Sequence, residues 1–147
     1  MKISEVFYQN NLRTKAIHIA SGNEIITDAP IDNNGKGAAF SPTDLVATAL
    51  ASCMLTIMGI IAQNHEIDIA GAKAIIQKFM GSNPRRIKEI AIEIHLNRMI
   101  TSKNRKLLEK AALVCPVSNS LGQDVIQNIR FNYVWLVNLL WQNRVCN

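Results

Sequence analysis

The chain has 147 residues, enough for one compact domain with a real core, and 48% of them are hydrophobic. Lysine and arginine outnumber aspartate and glutamate 16 to 11, a net charge of +5. That charge is scattered through short segments such as Arg85, Arg86, Lys88 and Lys103, Arg105, Lys106, with no basic stripe carrying interleaved aromatics. This argues against a nucleic-acid partner and leaves an anionic small molecule open. The three cysteines, Cys53, Cys115 and Cys146, form no metal-type doublet and are odd in number, so reduced thiols are expected rather than a secreted disulfide scaffold or a metal centre. The polar start from Lys2 to Glu5 lacks a secretory signal, and no run approaches the roughly 20 apolar residues of a membrane span. A soluble cytoplasmic protein with no membrane partner is the expectation.

From Lys2 to Ala29 the text reads as three strands, ISEVFY, TKAIHIA and EIITDA, punctuated by Gln9-Asn10-Asn11 and Ser21-Gly22-Asn23, an antiparallel meander. Alternation puts Arg13 and Lys15 on the face of Ile17 and Ile19, the presumed core side. The plain account of Arg13 is a strand-end residue bending to solvent. Pro30 to Gly37 (PIDNNGKG) fails as a calcium loop, with Lys36 at an oxygen-ligand position and Thr43 where a bidentate glutamate belongs. It fails as a phosphate loop by spacing, and is expected as a mobile surface loop.

Ser41 to His65 is the long helix around which the rest is organised. Ser41 caps it, Pro42 suits its first position and Asp44 completes a capping box. Val46, Ala49, Leu50, Cys53, Ile57 and Ile60 recur at helical spacing, and small residues around Cys53 would let another backbone approach. Strands follow over Ala72 to Met80 and Ile87 to Arg98, with a turn at Gly81-Ser82-Asn83-Pro84. In the second, Ile90, Ile92, Ile94 and Leu96 alternate with Ala91, Glu93 and His95, which predicts one buried face and one wet face. His18, His65 and His95 share no metal-ligand spacing and read as ordinary surface or edge residues.

Thr101 or Ser102 caps a second helix with Leu108, Ala112 and Cys115 on one face. Pro116 then breaks it or starts a short new one. Just before Pro116, Cys115 would meet free amides that favour a thiolate, whereas Cys53, deep in its helix, would need an outside cation. Local electrostatics therefore make Cys115 the more acidic thiol, and free cysteines of this kind are otherwise small core residues. Val125 to Tyr133 reads as a last strand, and residues 134–147, with Trp135, Trp141 and Cys146, as an apolar tail fit for a subunit contact.

SPTDLVATALASC and LEKAALVCPVSNSL together make residues 1–133 similar to the OsmC/Ohr family of osmotically inducible and organic-hydroperoxide-resistance proteins. The resemblance implies an α+β fold in which antiparallel sheets wrap two central helices in an intertwined homodimer. It implies a cofactor-free thiol peroxidase, with Cys53 attacking the hydroperoxide and Cys115 resolving it. Arg13 would hold the Cys53 thiolate, reversing the local preference for Cys115. An external dithiol would be the reductant, and Leu50, Met54, Ile57 and Met58 would wall an organic substrate. The peroxidases carry a glutamate directly after the helix-opening proline, where this chain has Thr43, with Asp44 one residue later. One residue turns a helical side chain by about 100°, so Thr43 and Asp44 are supporting candidates rather than a direct replacement. The alternatives are a non-catalytic small-ligand-binding dimer of the same fold, and a purely structural partner protein using the tail.

Overall fold

The computed structural model describes residues 1–135. The expected tail beyond Trp135, including Trp141 and Cys146, lies outside the described residues. The chain forms two compact units, Met1–Val46 and a second that opens at Ala47.

The first unit is an antiparallel sheet in the order β1 (Ser4–Tyr8), β2 (Arg13–His18) and β3 (Glu24–Asp28). The meander and both its turns follow the sequence reading. Between β1 and β2 the turn passes through three left-handed residues, Asn10, Asn11 and Leu12, at φ 67, 51 and 61°. Asparagine tolerates that region and leucine does so at a cost, which the surrounding hydrogen bonds must offset. Arg13, Lys15 and Ile17 do share a face, but that face is charged rather than a core. Lys15 Nζ lies 3.0 Å from Glu24, and Arg13 pairs with Asp28. Large apolar residues stand exposed on both sides of this sheet, Phe7 and Ile26 on one and Val6, Tyr8 and Ile25 on the other.

The Pro30–Gly37 connection is pinned rather than loose. It holds a single 3-10 turn at Ile31–Asn33, the Gly35 N–H donates to Pro30 O at 3.0 Å and the Gly37 N–H to Ala29 O at 3.2 Å. Any side chain at position 35 would collide with the backbone, since a Cβ there would sit 1.7 Å from Ala29 O. Only glycine lets the loop fold back so closely.

Helix α1 runs Pro42–Asn64. By length and composition it is apolar enough to cross a membrane, which corrects the expectation that no stretch comes near that limit. Three hydroxyl residues, Thr48, Ser52 and Thr56, dilute its apolarity too little. Within the second unit its Leu50, Met54 and Met58 are fully buried core.

That core is completed by a sheet in the order β4 (Lys73–Gly81), β5 (Arg86–Asn97), β6 (Ile126–Val134) and by helices α2 (Ser102–Leu113) and α3 (Pro116–Ser120). Ile90, Ile92, Ile94 and Leu96 are all at 0% exposure, the buried face read from their alternation. Each such side chain contributes roughly 2 kcal/mol on burial. β4 pairs antiparallel with β5, but β6 pairs parallel with it, so this sheet is mixed where an antiparallel one was expected. The reason lies in the connection: α2 and α3 carry the chain from the end of β5 back to its start, and a strand entered after such a crossover runs in the same sense. Thr101 caps α2, its side chain accepting from the Asn104 N–H at 3.4 Å. Arg105 stacks 4.1 Å from the Tyr133 ring, whose hydroxyl donates to Glu109 at 2.8 Å, and this clamps α2 to the far end of β6.

Candidate functional site

At the start of α1 the Ser41 hydroxyl accepts from the Asp44 N–H at 3.1 Å, while the Asp44 carboxylate accepts from the Ser41 N–H at 2.8 Å. This reciprocal pair is the expected capping box, with aspartate in the third position. The Thr43 hydroxyl lies 3.1 Å from that of Ser41. Both supporting candidates thus take part in shaping the helix start, and Asp44 is directed to the backbone of its own cap.

About two and a half turns beyond Asp44, α1 presents Cys53, half-buried and reduced. Its neighbour in the second unit is Cys115, fully buried and also reduced. Two residues 62 positions apart meet because α1 and the end of α2 share the core formed on β5. Cys115 caps α3, its sulfur accepting from the Ser118 N–H at 3.4 Å. The free amides foreseen there do pull its pKa down, yet the net shift is upward. Burial is the largest cause, and the adjacent Cys53 adds to it by disfavouring a second negative charge. The expectation that the amides at Cys115 favour its thiolate is therefore corrected: desolvation outweighs two amide hydrogen bonds.

Sequence reasoning missed what holds Cys115 in place. Ser118 donates from its hydroxyl to Gln127 Oε1 at 2.7 Å, and Gln127 Nε2 donates to Ser118 O at 3.1 Å. Gln127 belongs to β6, so this two-point clasp fixes α3, and with it the cap at Cys115, to the sheet. The only signal for it was a polar residue at a core-facing position of the strand.

In the first unit Arg13 and Asp28 are direct cross-strand partners. Arg13 Nε donates to Asp28 Oδ1 at 2.7 Å and the guanidinium donates again to Oδ2 at 2.8 Å. The Ala38 N–H adds a third bond to Oδ2 at 3.1 Å. Asp28 is 2% exposed and Arg13 38%. The arginine hydrogen bonds hold the Asp28 carboxyl below its ordinary pKa against the cost of burial, and they raise that of Arg13. Arg13 does lie at a strand end, but it turns to a carboxylate rather than to water alone. Thr14 and Thr27 link their hydroxyls at 2.6 Å on the opposite face.

The predicted substrate wall fares differently. Leu50, Met54 and Met58 are packed core, which leaves Ile57 as its one partly exposed member. A hollow of about 220 Å³ lies elsewhere, on the outer face of the second sheet among Ile75, Gln77, Phe79, Glu89, Asn128 and Arg130, and neither cysteine lines it. Among the described residues no group of three or more His, Cys, Asp or Glu could hold a metal ion. His18 bonds to Ser21 at 2.7 Å, and His95 lies 3.7 Å from Glu93.

This arrangement has relatives. A Psychrobacter arcticus 273-4 protein, described provisionally as an osmotic stress induced and detoxification response protein, is 54% identical, with a TM-score of 0.87 over 90% of this chain and 96% of that one. An OsmC organic hydroperoxide resistance protein from Legionella pneumophila shares the fold at 18% identity, with a TM-score of 0.72 over 90% of this chain and 96% of its own. An uncharacterized Acinetobacter baylyi protein is 27% identical over 99 residues, 65% of this chain and 68% of that one. The family model described as OsmC-like protein matches residues 35–129, well over half of the sequence, and the chain accordingly belongs to the OsmC-like family.

Proposed function

We propose that this protein is a thiol peroxidase that reduces organic hydroperoxides, with Cys53 as the attacking and Cys115 as the resolving thiol. The observation that carries the reading is the adjacency of these two reduced sulfurs at the core of one unit. The thiolate of Cys53 attacks the terminal peroxide oxygen: an S–O bond forms, the O–O bond breaks, and the alkoxide leaves and is protonated to the alcohol. Sulfur loses two electrons and the peroxide gains them. Cys115 then attacks the sulfenic sulfur, forming the disulfide and releasing the hydroxyl as water with the Cys115 proton. An external dithiol reopens the bridge by exchange.

The upward shift at Cys115 supports its role as the second thiol. A thiol held protonated by burial is a poor first nucleophile and a suitable second one, because it gives up its proton to the departing hydroxyl. Arg13 is the cation assigned to the Cys53 thiolate, on the strength of the family resemblance. The working form is a homodimer. Support comes from the apolar side chains exposed on both faces of the first sheet and from the outward Val46 and Ile60 of α1, more apolar surface than a lone small domain usually leaves bare.

A second reading, a dimer of the same fold that binds a small ligand without turnover, is favoured by one observation. Thr43 stands in the place of the peroxidase glutamate, and Asp44 is directed to the Ser41 amide. The two readings separate in a Cys146→Ser background, where only the paired thiols remain. With an alkyl hydroperoxide the parent should lose both thiols to a disulfide. Cys115→Ser should stop at a sulfenic acid that a dione probe traps, and Cys53→Ser should be inert. Peroxide consumption by Cys53→Ser equal to the parent's would remove Cys53 from the mechanism.

A further inference from the structure

We propose that the hollow on the outer face of the second sheet is a binding site for a small zwitterion, an α-amino acid with an apolar side chain. The site stands apart from the peroxidase reading: neither cysteine lines it, and all of its residues belong to the second unit.

The register of three strands puts unlike groups in one row. Ile75 of β4 is the cross-strand partner of Glu93 in β5, and Glu93 is the partner of Arg130 in β6. Ile92 and Ile94, on either side of Glu93, are wholly buried, so alternation turns this row to the outer face. Neighbouring strands lie about 4.8 Å apart. The row therefore offers an apolar, an anionic and a cationic group in close succession, and an amino acid carries their complements, side chain, ammonium and carboxylate, on a single carbon. The next row makes the space. Gln77, Ala91 and Asn128 are partners across the same three strands, and the small Ala91 leaves the floor low between two side-chain amides. Phe79, with Glu89 as its partner, closes the far end.

The charged groups are uncommitted. Glu93 meets His95 Nε2 only at 3.7 Å, too far for a hydrogen bond, and among the described residues Arg130 makes no ion pair. Glu89 is oriented, because Asn128 Nδ2 donates to its Oε1 at 3.2 Å, and its second oxygen is left to accept. Ile75 and Phe79 stand half exposed beside these groups, apolar surface that an aliphatic side chain would cover. At about 220 Å³ the hollow is smaller than the roughly 300–1,000 Å³ of pockets for drug-sized ligands, and it suits a molecule of amino-acid size. The mixed charge selects further. A plain anion at Arg130 would face Glu89 and Glu93, a plain cation at the glutamates would face Arg130, and a zwitterion satisfies both.

The test is a titration of the isotope-labelled full chain, followed by amide chemical shifts, with L-leucine and two analogues that each lack one charge, 3-methylbutylamine and 4-methylpentanoate. Leucine should give saturable shifts at the residues of the hollow, and each analogue should bind at least about tenfold more weakly, the scale of one lost charged hydrogen bond. Arg130→Gln should erase the preference for leucine over the amine, and Glu93→Gln the preference over the acid. Absence of saturable shifts would overturn the proposal, as would equal affinity for all three probes or undiminished leucine binding by Arg130→Gln. Should these exposed substitutions instead change the sedimentation of the ligand-free protein, the face is covered by a second copy of the chain and the amino-acid site falls. Hydroperoxide turnover is not read in this titration, so its failure leaves the peroxidase reading standing, and loss of that reading leaves the leucine titration unchanged.

Discussion

Ser118 and Gln127 clasp each other through two hydrogen bonds, one from the serine hydroxyl at 2.7 Å and one from the glutamine amide at 3.1 Å. Ser118 is also the residue whose N–H reaches the Cys115 sulfur, so β6 controls the orientation of the Cys115 thiol through a single side chain. Gln127→Ala removes both bonds and should destabilise the protein by about 1–2 kcal/mol. It should also slow disulfide formation after peroxide addition while leaving the first attack by Cys53 unchanged. Stopped-flow measurement of the two phases checks this, and equal rates for both phases in variant and parent would contradict it.

Acid should reveal the Arg13–Asp28 pair in stability as well. Asp28 has a depressed pKa when folded, so its ionised form stabilises the native state above the ordinary carboxylate range, and that contribution fades as pH falls through the folded value. The urea midpoint of Asp28→Asn should therefore lie below the parent's at pH 7, and the gap should narrow on acidification. A gap that stays constant down to strongly acidic pH would show that the carboxylate charge is not what the fold uses.

Cys115 carries the opposite sign. Its thiol binds a proton more tightly folded than unfolded, so in Cys53→Ser, Cys146→Ser protein its alkylation should require pH above the roughly 8.5 of a free thiol. The same shift stabilises the fold increasingly little as pH rises through the folded value. A Cys115 that alkylates at neutral pH would mean that burial is relieved in solution and that the clasp above it is open.

Two isoleucines of the second unit offer a packing control. Ile92 is at 0% exposure on the core face of β5, and Ile75 is 48% exposed on β4. Ile92→Ala should cost about 3–4 kcal/mol by leaving a cavity, and Ile75→Ala no more than about 0.5 kcal/mol. Chemical denaturation of both variants checks the ratio. A large loss for Ile75→Ala would point to a covered outer face, such as an interface between subunits.

Much of the architecture was legible in order of sequence. The alternation of Ile90, Ile92, Ile94 and Leu96, the Ser41-to-Asp44 cap and the buried Leu108 and Ala112 of α2 all stand where local pattern put them, while Cys115 lies beyond the end of α2. Such features depend on backbone periods and on bonds between near neighbours, which a short stretch of sequence states in full. The existence of a proline-led cap at Cys115 belongs with them.

What only the tertiary structure decided is everything that turns on which distant group arrives. The direction of β6 depends on where α2 and α3 deliver the chain. The carboxylate that receives Arg13 sits 15 positions away among several candidates. The acidity of Cys115 is set by the side chains that exclude water from it, and no local amide count could weigh that desolvation. Hydrogen-bond patterns along a chain follow from the order of its residues; burial and cross-strand partnership are properties of the packed whole.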